Sequence, residues 1–338
     1  MPMTALRALL LSDGRPGHTN LSLGLLAAAE HLRPVTTNRI EVRRGYWPGA
    51  ALAAWSNSGL APQGLLRQVF GIDAGQLPKV DLVVSAGAET LAANIACARI
   101  LGTANVFYGS LRSFRAEDFS LVLTSFPANA TRPHHALALK PSPAAAAIWQ
   151  AGRRRLAKPP KRITLLVGGT SGESTYTQAD WDRLIHLMQA MAGNLGIRWL
   201  VSNSRRTPNA VSDRLGKLAI ERLIDVRDPN AAPLWQIIGA ADAALVTDES
   251  SSMVSDAVAA GLPVLGVAPA RHALTGNEQD YRRHLKRNGW YDAAPLAGLE
   301  ADAVIAKLSH LTPLAADPGQ DLAALLRERL PALFPATP

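Results

Sequence analysis

Apolar residues in this chain fall into short unbroken runs separated by stretches of helical period. The run at 5–12 (ALRALLLS) leads into a helical pattern at 18–32, and strands are expected again at 39–44, 80–87, 104–110 and 119–125, with a helix at 88–102. Runs of four to six apolar residues without alternation indicate strands buried on both faces, as in a parallel sheet held between helix layers. The rhythm breaks near residue 141, where Pro141, Pro143, Pro159 and Pro160 surround a short helical piece and the basic run Arg153 to Arg155. It then resumes, with strands expected at 163–169, 198–204, 243–249 and 262–268 and helices at 177–196, 209–221, 233–242 and 252–261. Residues 321–334 have an amphipathic pattern that suits either a helix returning to the first half or a plain terminal cap.

Strand and helix alternating in this way define an α/β protein of two Rossmann-like, doubly wound parallel-sheet domains. Their expected limits are 1–145 and 162–315, with a linker at 146–161 and a C-terminal segment at 316–338. The length of 338 residues agrees, being about twice that of a single domain of ~100–200 residues.

Composition narrows the class further. No apolar run approaches the ~18 residues of a membrane span, and the opening segment reads as a first strand because no small-residue cleavage pattern follows it. The single cysteine, Cys97, forms no internal disulfide and no zinc pattern, which suits a reducing cytoplasm. On the helix at 88–102 it reads as a small buried residue. The net charge of +8 favours acidic small molecules, an anionic membrane surface or nucleic acid. No basic run interleaved with aromatics singles out nucleic acid.

Ligands of doubly wound sheets bind beyond the carboxyl ends of the strands, so the loops there carry the candidate chemistry. The first, SDGRPGHTN at 12–20, places Asp13, Gly14 and Gly17 around Pro16 and sets His18 at the start of a helix. Helix N–H groups suit an anion, and an imidazole moves protons near neutral pH. Equally, Asp13 caps the turn and His18 only packs. The spacing is neither a Walker loop nor a G-x-G-x-x-G fingerprint. The second loop, VGGTSGEST at 167–175, offers Gly168, Gly169, Thr170, Ser171 and Ser174 for close approach of a phosphate or sugar. The third, SNSRRTPNA at 202–210, opens on Ser202 and brings Arg205 and Arg206 to a strand-to-helix junction, where a planar guanidinium reaches a diphosphate. The fourth stretch, 246–270, ends a strand in Thr247, Asp248 and Glu249. Ser250, Ser251 and Ser252 then cap a helix, and Asp256 lies about one turn further on, suited to ribose hydroxyls.

GGTSGES and SSMVSDAVAAGLPVLGVAP resemble the donor-nucleotide half of GT-B glycosyltransferases, particularly the peptidoglycan N-acetylglucosaminyltransferases that make lipid II. Ser255 and Asp256 fall on that family's Ser-Glu pair, with Asp in place of Glu. His18 falls on the histidine of its first-strand loop, and SAGAETLAANIA at 85–96 sits where it has a second glycine-containing loop. A wider similarity, carried by DGRPGHTNLSLGL, SNSRRTP and TDESSSMVSDAVAAGLPV, is to bacterial relatives of the mitochondrial fission ELM family. There Asp-Ser is expected where this chain has Glu249-Ser250 before SSM.

The resemblance implies a GT-B-like fold with its two domains facing across a cleft, and a nucleoside-diphosphate sugar as donor substrate. It implies an inverting, metal-independent transfer with no cofactor, in which His18, or Asp13 in its place, is the general base. The donor would be held by Gly14, Gly17, Gly168, Gly169, Thr170, Ser171, Ser202, Arg205, Arg206, Glu249, Ser250, Ser251, Ser252, Met253 and Asp256. The acceptor expected is an envelope glycolipid or a soluble molecule. The chain's place would be the cytoplasm, with peripheral attachment to an anionic inner membrane through Arg112, Arg115 and Arg153 to Arg155. Two rival functions remain open: a nucleotide-sugar 2-epimerase using Asp13, His18 and Glu249, and a scaffold without catalysis.

Overall fold

The structure, a computed structural model, describes residues 4–335. The chain divides into two compact units, one comprising the residues up to Pro143 and those from Pro318 onward, the other Ala144–Asp317.

The first unit is a six-stranded sheet, wholly parallel, in the order β2-β1-β3-β4-β5-β6. Its strands are β1 (Leu6–Ser12), β2 (Val35–Glu41), β3 (Leu82–Ala86), β4 (Ala104–Tyr108), β5 (Leu121–Thr124) and β6 (His135–Leu137). Helices α1 (Pro16–Glu30), α2 (Gly49–Asn57), α3 (Pro62–Phe70) and α4 (Leu91–Leu101) connect them. Alternate residues of β1 serve opposite cores: Leu9 and Leu11 join α2, α3 and α4, while Ala8 and Leu10 join α1. Burial on both faces is why β1 shows no apolar-polar alternation. The C-terminal helix, Pro318–Arg329, adds Leu322 and Leu326, with Leu330 and Phe334 just beyond it, to the α1 side of this sheet. Cys97 is fully buried on α4, and burial pushes its thiol up to about 12, so it remains an unreactive packing residue.

The second unit repeats the plan with β7 (Arg162–Leu166), β8 (Ser174–Thr175), β9 (Arg198–Ser202), β10 (Arg222–Ile224), β11 (Ala243–Thr247), β12 (Val264–Ala268), β13 (Arg271–His272) and β14 (Tyr291–Pro295). The main sheet is again parallel, in the order β10-β9-β7-β11-β12-β14, and β8 pairs antiparallel with β13. Helices α5 (Pro143–Gln150), α6 (Gln178–Leu195), α7 (Asn209–Leu215), α8 (Trp235–Ala240), α9 (Ser251–Ala259), α10 (Gly276–Arg287) and α11 (Ala301–His310) belong to it, and α12 (Pro318–Arg329) is the C-terminal helix. The α6 side of the sheet is packed by Trp181, Leu184, Met188 and Trp199.

Residues 146–161, expected as a linker, are tied into this second unit. Trp149 donates its indole N–H to the Ala259 carbonyl at 2.8 Å, and Asp242 accepts the N–H groups of Ala157, Lys161 and Arg162 at 2.8 to 3.0 Å. The helix expected over 209–221 stops at Leu215, and Arg222–Ile224 forms an edge strand instead. Among the described residues no helix is long and apolar enough to cross a membrane.

Strand order fixes where each unit can bind a ligand. In the first, the chain runs from β1 outward to β2 and then crosses to β3, so the loops after β1 and β3 diverge. In the second, the same reversal falls between β7 and β11. Such switch points open a crevice at the carboxyl ends of the strands.

Candidate functional site

At the first switch point β1 ends in Ser12, whose hydroxyl accepts the Gly14 N–H at 3.1 Å and pairs with Thr19 Oγ1 at 2.9 Å. Asp13 Oδ1 accepts the Arg15 N–H at 3.1 Å, which closes the turn into α1. Its other oxygen, Oδ2, lies 2.7 Å from His18 Nδ1. The Asp13 side chain is 2% exposed, whereas the imidazole is 31% exposed. Asp13 thus caps the turn as expected and also holds the histidine ring, a contact the sequence did not announce. A carboxylate on Nδ1 favours the tautomer with its proton there and leaves the lone pair on Nε2. Among the described residues no hydrogen bond reaches Nε2.

The imidazole packs on the loop after β3. Gly87 has φ +89°, and a Cβ added there would lie 2.1 Å from His18 Nδ1. Only glycine allows both this backbone and this approach. The loops DGRPGH and SAGAET thus build one arrangement, with His18 standing over Gly87. Helix α1 has no side-chain cap, so first-turn N–H groups at Gly17 and His18 are open to an anion.

The second switch point brings together the glycine loop after β7 and the Thr247-Asp248-Glu249 end of β11. Thr247 Oγ1 accepts the Gly168 N–H at 2.7 Å and Glu249 Oε1 accepts the Gly169 N–H at 2.8 Å. Thr207 donates to the Gly168 carbonyl at 2.6 Å. A Cβ on Gly168 would lie 1.7 Å from Glu249 Oε1, and one on Gly169 2.0 Å from the Arg206 carbonyl oxygen. The glycines are needed for this packing against protein, and the loop is held from beneath.

Glu249 departs from its expected part as a ligand contact. The Glu249 side chain is fully enclosed: Oε1 takes Gly169 and Arg206, the latter at 3.3 Å, and Oε2 takes the Tyr176 hydroxyl at 3.0 Å. With both oxygens engaged it is a strut under the loop. Burial holds its carboxyl above the ordinary range, despite the bonds from Gly169, Arg206 and Tyr176. Ser202 is also turned inward, its hydroxyl donating to the Asn203 carbonyl at 3.2 Å. Arg205 and Arg206 are both exposed, the Arg206 side chain 42% so although it reaches Glu249.

Ser250 occupies the cap position of α9 but makes no side-chain capping bond, contrary to the expected serine cap. Ser251 and Met253 are half-buried, Ser252 is exposed, and Asp256 is half-buried one turn along. Ser255 is buried, donating to the Ser251 carbonyl at 2.6 Å and meeting the Tyr281 hydroxyl at 2.7 Å. Thr170 is exposed and Ser171 half-buried, so the upper edge of the glycine loop keeps its hydroxyls accessible.

A buried cluster that the sequence does not announce supports this edge from the other side. Asp248 accepts Arg282 Nε at 3.0 Å, the Tyr291 hydroxyl at 2.5 Å and His272 Nε2 at 3.1 Å, and Ser174 Oγ lies 2.7 Å from His272 Nδ1. Burial pushes the Asp248 carboxyl up, but His272, Arg282 and Tyr291 outweigh it and hold it below the ordinary range. Asp248 and Glu249, adjacent in sequence, therefore anchor opposite sides of the site. Arg282 is buried on α10 beside Tyr281 and Leu285, but its neighbour Arg283 and the basic end of the helix hide it in the sequence. Among the described residues no group of three or more His, Cys, Asp or Glu side chains is placed to hold a metal ion.

Two parallel six-stranded units with switch-point loops of this kind make a GT-B-like fold. Residues 16–330 match the family of mitochondrial fission ELM1, and the chain belongs to that family. No curated protein matches it. Among solved structures, a putative UDP-N-acetylglucosamine 2-epimerase from Listeria monocytogenes aligns with a TM-score of 0.57 at 12% identity, covering 99% of this chain and 98% of that one. The UDP-GlcNAc 2-epimerase of Neisseria meningitidis, bound to UDP-GlcNAc, aligns at 0.52 and 10% identity, covering 97% and 100%. MurG of Acinetobacter baumannii aligns at 0.49 and 14%, covering 96% and 99%. At such identities the likeness is one of fold.

Proposed function

We propose that this protein is a nucleotide-sugar-dependent glycosyltransferase that moves a sugar from a nucleoside diphosphate to a hydroxyl of an envelope glycolipid. The observation that carries the reading is the Asp13–His18 pair, a nearly buried carboxylate 2.7 Å from an imidazole that is itself still open to solvent. His18 Nε2 takes the acceptor hydroxyl's proton as that oxygen bonds to the anomeric carbon, and the bond to the diphosphate breaks with its electron pair leaving on the phosphate. Asp13 holds the ring and stabilises the imidazolium formed. Direct displacement with a single base inverts the anomeric centre.

Charge gathered on the departing diphosphate is met by the uncapped N–H groups of α9, by the hydroxyl edge of the glycine loop and by Arg205. These groups supply the stabilisation from the protein itself. Asp256, with the α9 start, is assigned to the ribose. UDP-GlcNAc, bound in the Neisseria structure, is the first donor to try. The net charge of +8 supports work at the anionic cytoplasmic face of a membrane.

The test is a thermal-shift screen against UDP, GDP, ADP and CMP and their sugar conjugates, followed by release of free nucleotide with a lipid extract as acceptor. A ligand at 100 times its Kd stabilises by about 2.7 kcal/mol, which is readily seen. His18→Ala is expected to keep that stabilisation and lose ~100-fold or more in release. The reading fails if no conjugate stabilises at millimolar concentration, or if the variant turns over like the parent. Appearance of the 2-epimer with no acceptor present would assign the protein to epimerisation instead.

A further inference from the structure

Four cations meet at one cavity of the second unit, away from the candidate site. Arg153, Arg154, Arg155 and Lys158 line a space of about 860 Å3 together with Trp149, Leu156 and residues 312–315. Arg154 is committed to the fold, donating to Asp242 Oδ1 at 2.5 Å and to the Ala240 carbonyl at 2.9 Å. Among the described residues the other three have no carboxylate within ion-pair distance. Arg155 and Lys158 are exposed.

Arg153 is the informative member. Its guanidinium lies 5.2 Å from the centre of the Trp149 ring and donates to the Leu314 carbonyl at 2.8 Å, while its Nε is buried with no partner. Burial lowers its pKa. A half-buried cation held by one carbonyl and an aromatic face is left under-compensated, and an anion would complete it. Trp149, Leu156, Pro313 and Leu314 give the same cavity an apolar wall.

Position separates this cavity from the nucleotide site. Asp242, which anchors Arg154, directly precedes β11, and it also binds the N–H of Arg162 at the start of β7. The cavity therefore lies at the amino ends of strands whose carboxyl ends carry Gly168 and Asp248. Strands of five residues set the two roughly 16 Å apart.

We propose that this cavity binds a phosphate group carried on an apolar body, with Arg153, Arg155 and Lys158 on the phosphate oxygens and Trp149 and Leu156 against the apolar part. A lipid headgroup and a soluble phosphate ester share that chemistry. The proposal does not depend on the transferase reading.

The experiment compares the full chain with Arg155→Ala/Lys158→Ala, two exposed positions whose loss leaves the packing untouched. One arm is flotation with vesicles of phosphatidylglycerol, against phosphatidylcholine. The other is calorimetric titration with inorganic pyrophosphate. Binding of either probe that weakens about 30-fold in the double variant supports the site. Vesicle binding without pyrophosphate binding places the phosphate on a lipid, and pyrophosphate binding without vesicle binding places it on a soluble ester. Binding of neither probe overturns the proposal, as does binding that the double variant leaves unchanged.

Discussion

Gly87→Ala is the sharpest perturbation of the proposed base, because the residue changed is neither charged nor able to react. The new Cβ would lie 2.1 Å from His18 Nδ1, 2.6 Å from Cε1 and 2.8 Å from Cγ. Ordinary contact begins near 3.4 Å, so the ring must retreat by about 1.3 Å. That retreat breaks the 2.7 Å bond to Asp13. A misplacement of about 1 Å costs on the order of 100-fold in rate. The backbone, at φ +89° and ψ 141°, adds strain of roughly 1–3 kcal/mol for any residue with a Cβ. For a unit of this size the strain lowers Tm by about 2–12 °C and leaves the protein folded. Nucleotide affinity, assigned to loops of the other unit, should change by less than about twofold. Two assays read this: release of nucleotide from the donor, and chemical denaturation of Gly87→Ala, His18→Ala and the double variant. Removing the imidazole removes the clash, so in the His18→Ala background the alanine should cost only its backbone strain. Turnover within threefold of the parent, or strictly additive stabilities in the cycle, would refute the placement of His18 on Gly87.

The cluster beneath the second site makes two further predictions. Asp248→Asn leaves the buried Arg282 guanidinium without its near counter-ion and should cost about 3–5 kcal/mol by urea denaturation at pH 7. Because Asp248 titrates below its unfolded range in the folded protein, its stabilisation is present above about pH 4 and is lost as pH falls through the folded value. The asparagine variant should therefore lose less stability than the parent between pH 5 and pH 3, and an equal loss would count against the assignment. Gly168→Ala drives a Cβ to 1.7 Å from Glu249 Oε1, which has nowhere to go, so the loop must lift. Nucleotide affinity by calorimetry should fall at least 10-fold, about 1.4 kcal/mol, and unchanged affinity would mean that the loop does not hold the donor.

What the sequence made legible follows from how each element is buried. Strands β1, β3, β7 and β11 sit in the middle of their sheets, so their unbroken apolar runs announce them, and the loops after them follow by topology alone. The edges lack that signal. Strand β2 was expected at 39–44 and lies at Val35–Glu41, where most side chains are exposed and the sequence VTTNRIE carries little apolar pattern. Strands β6 and β10, of three residues each, and β14, with Asp292 and Pro295, are edge-like pieces of the same kind.

The sites divide along a different line. His18 and Gly168 were identifiable because a glycine turn followed by a polar helix start is a local property of the chain. Which way a side chain turns at a strand end is not local. Glu249 has the right chemistry for a ligand, but Gly168 and Gly169 press so close that the carboxylate is drawn under the loop, where Arg206 reaches it from the exposed side. The Asp248 cluster joins residues 24, 34 and 43 positions away, and no spacing rule reaches that far. A buried ion pair of this kind adds little net stability against an apolar core, but it forbids any arrangement that leaves one partner alone. The Asp248–Arg282 pair therefore holds the end of β11 in one arrangement, while the enclosed Glu249 carboxylate braces the adjoining glycine loop, and walls fixed in that way would spare a ligand the entropic cost of ordering them.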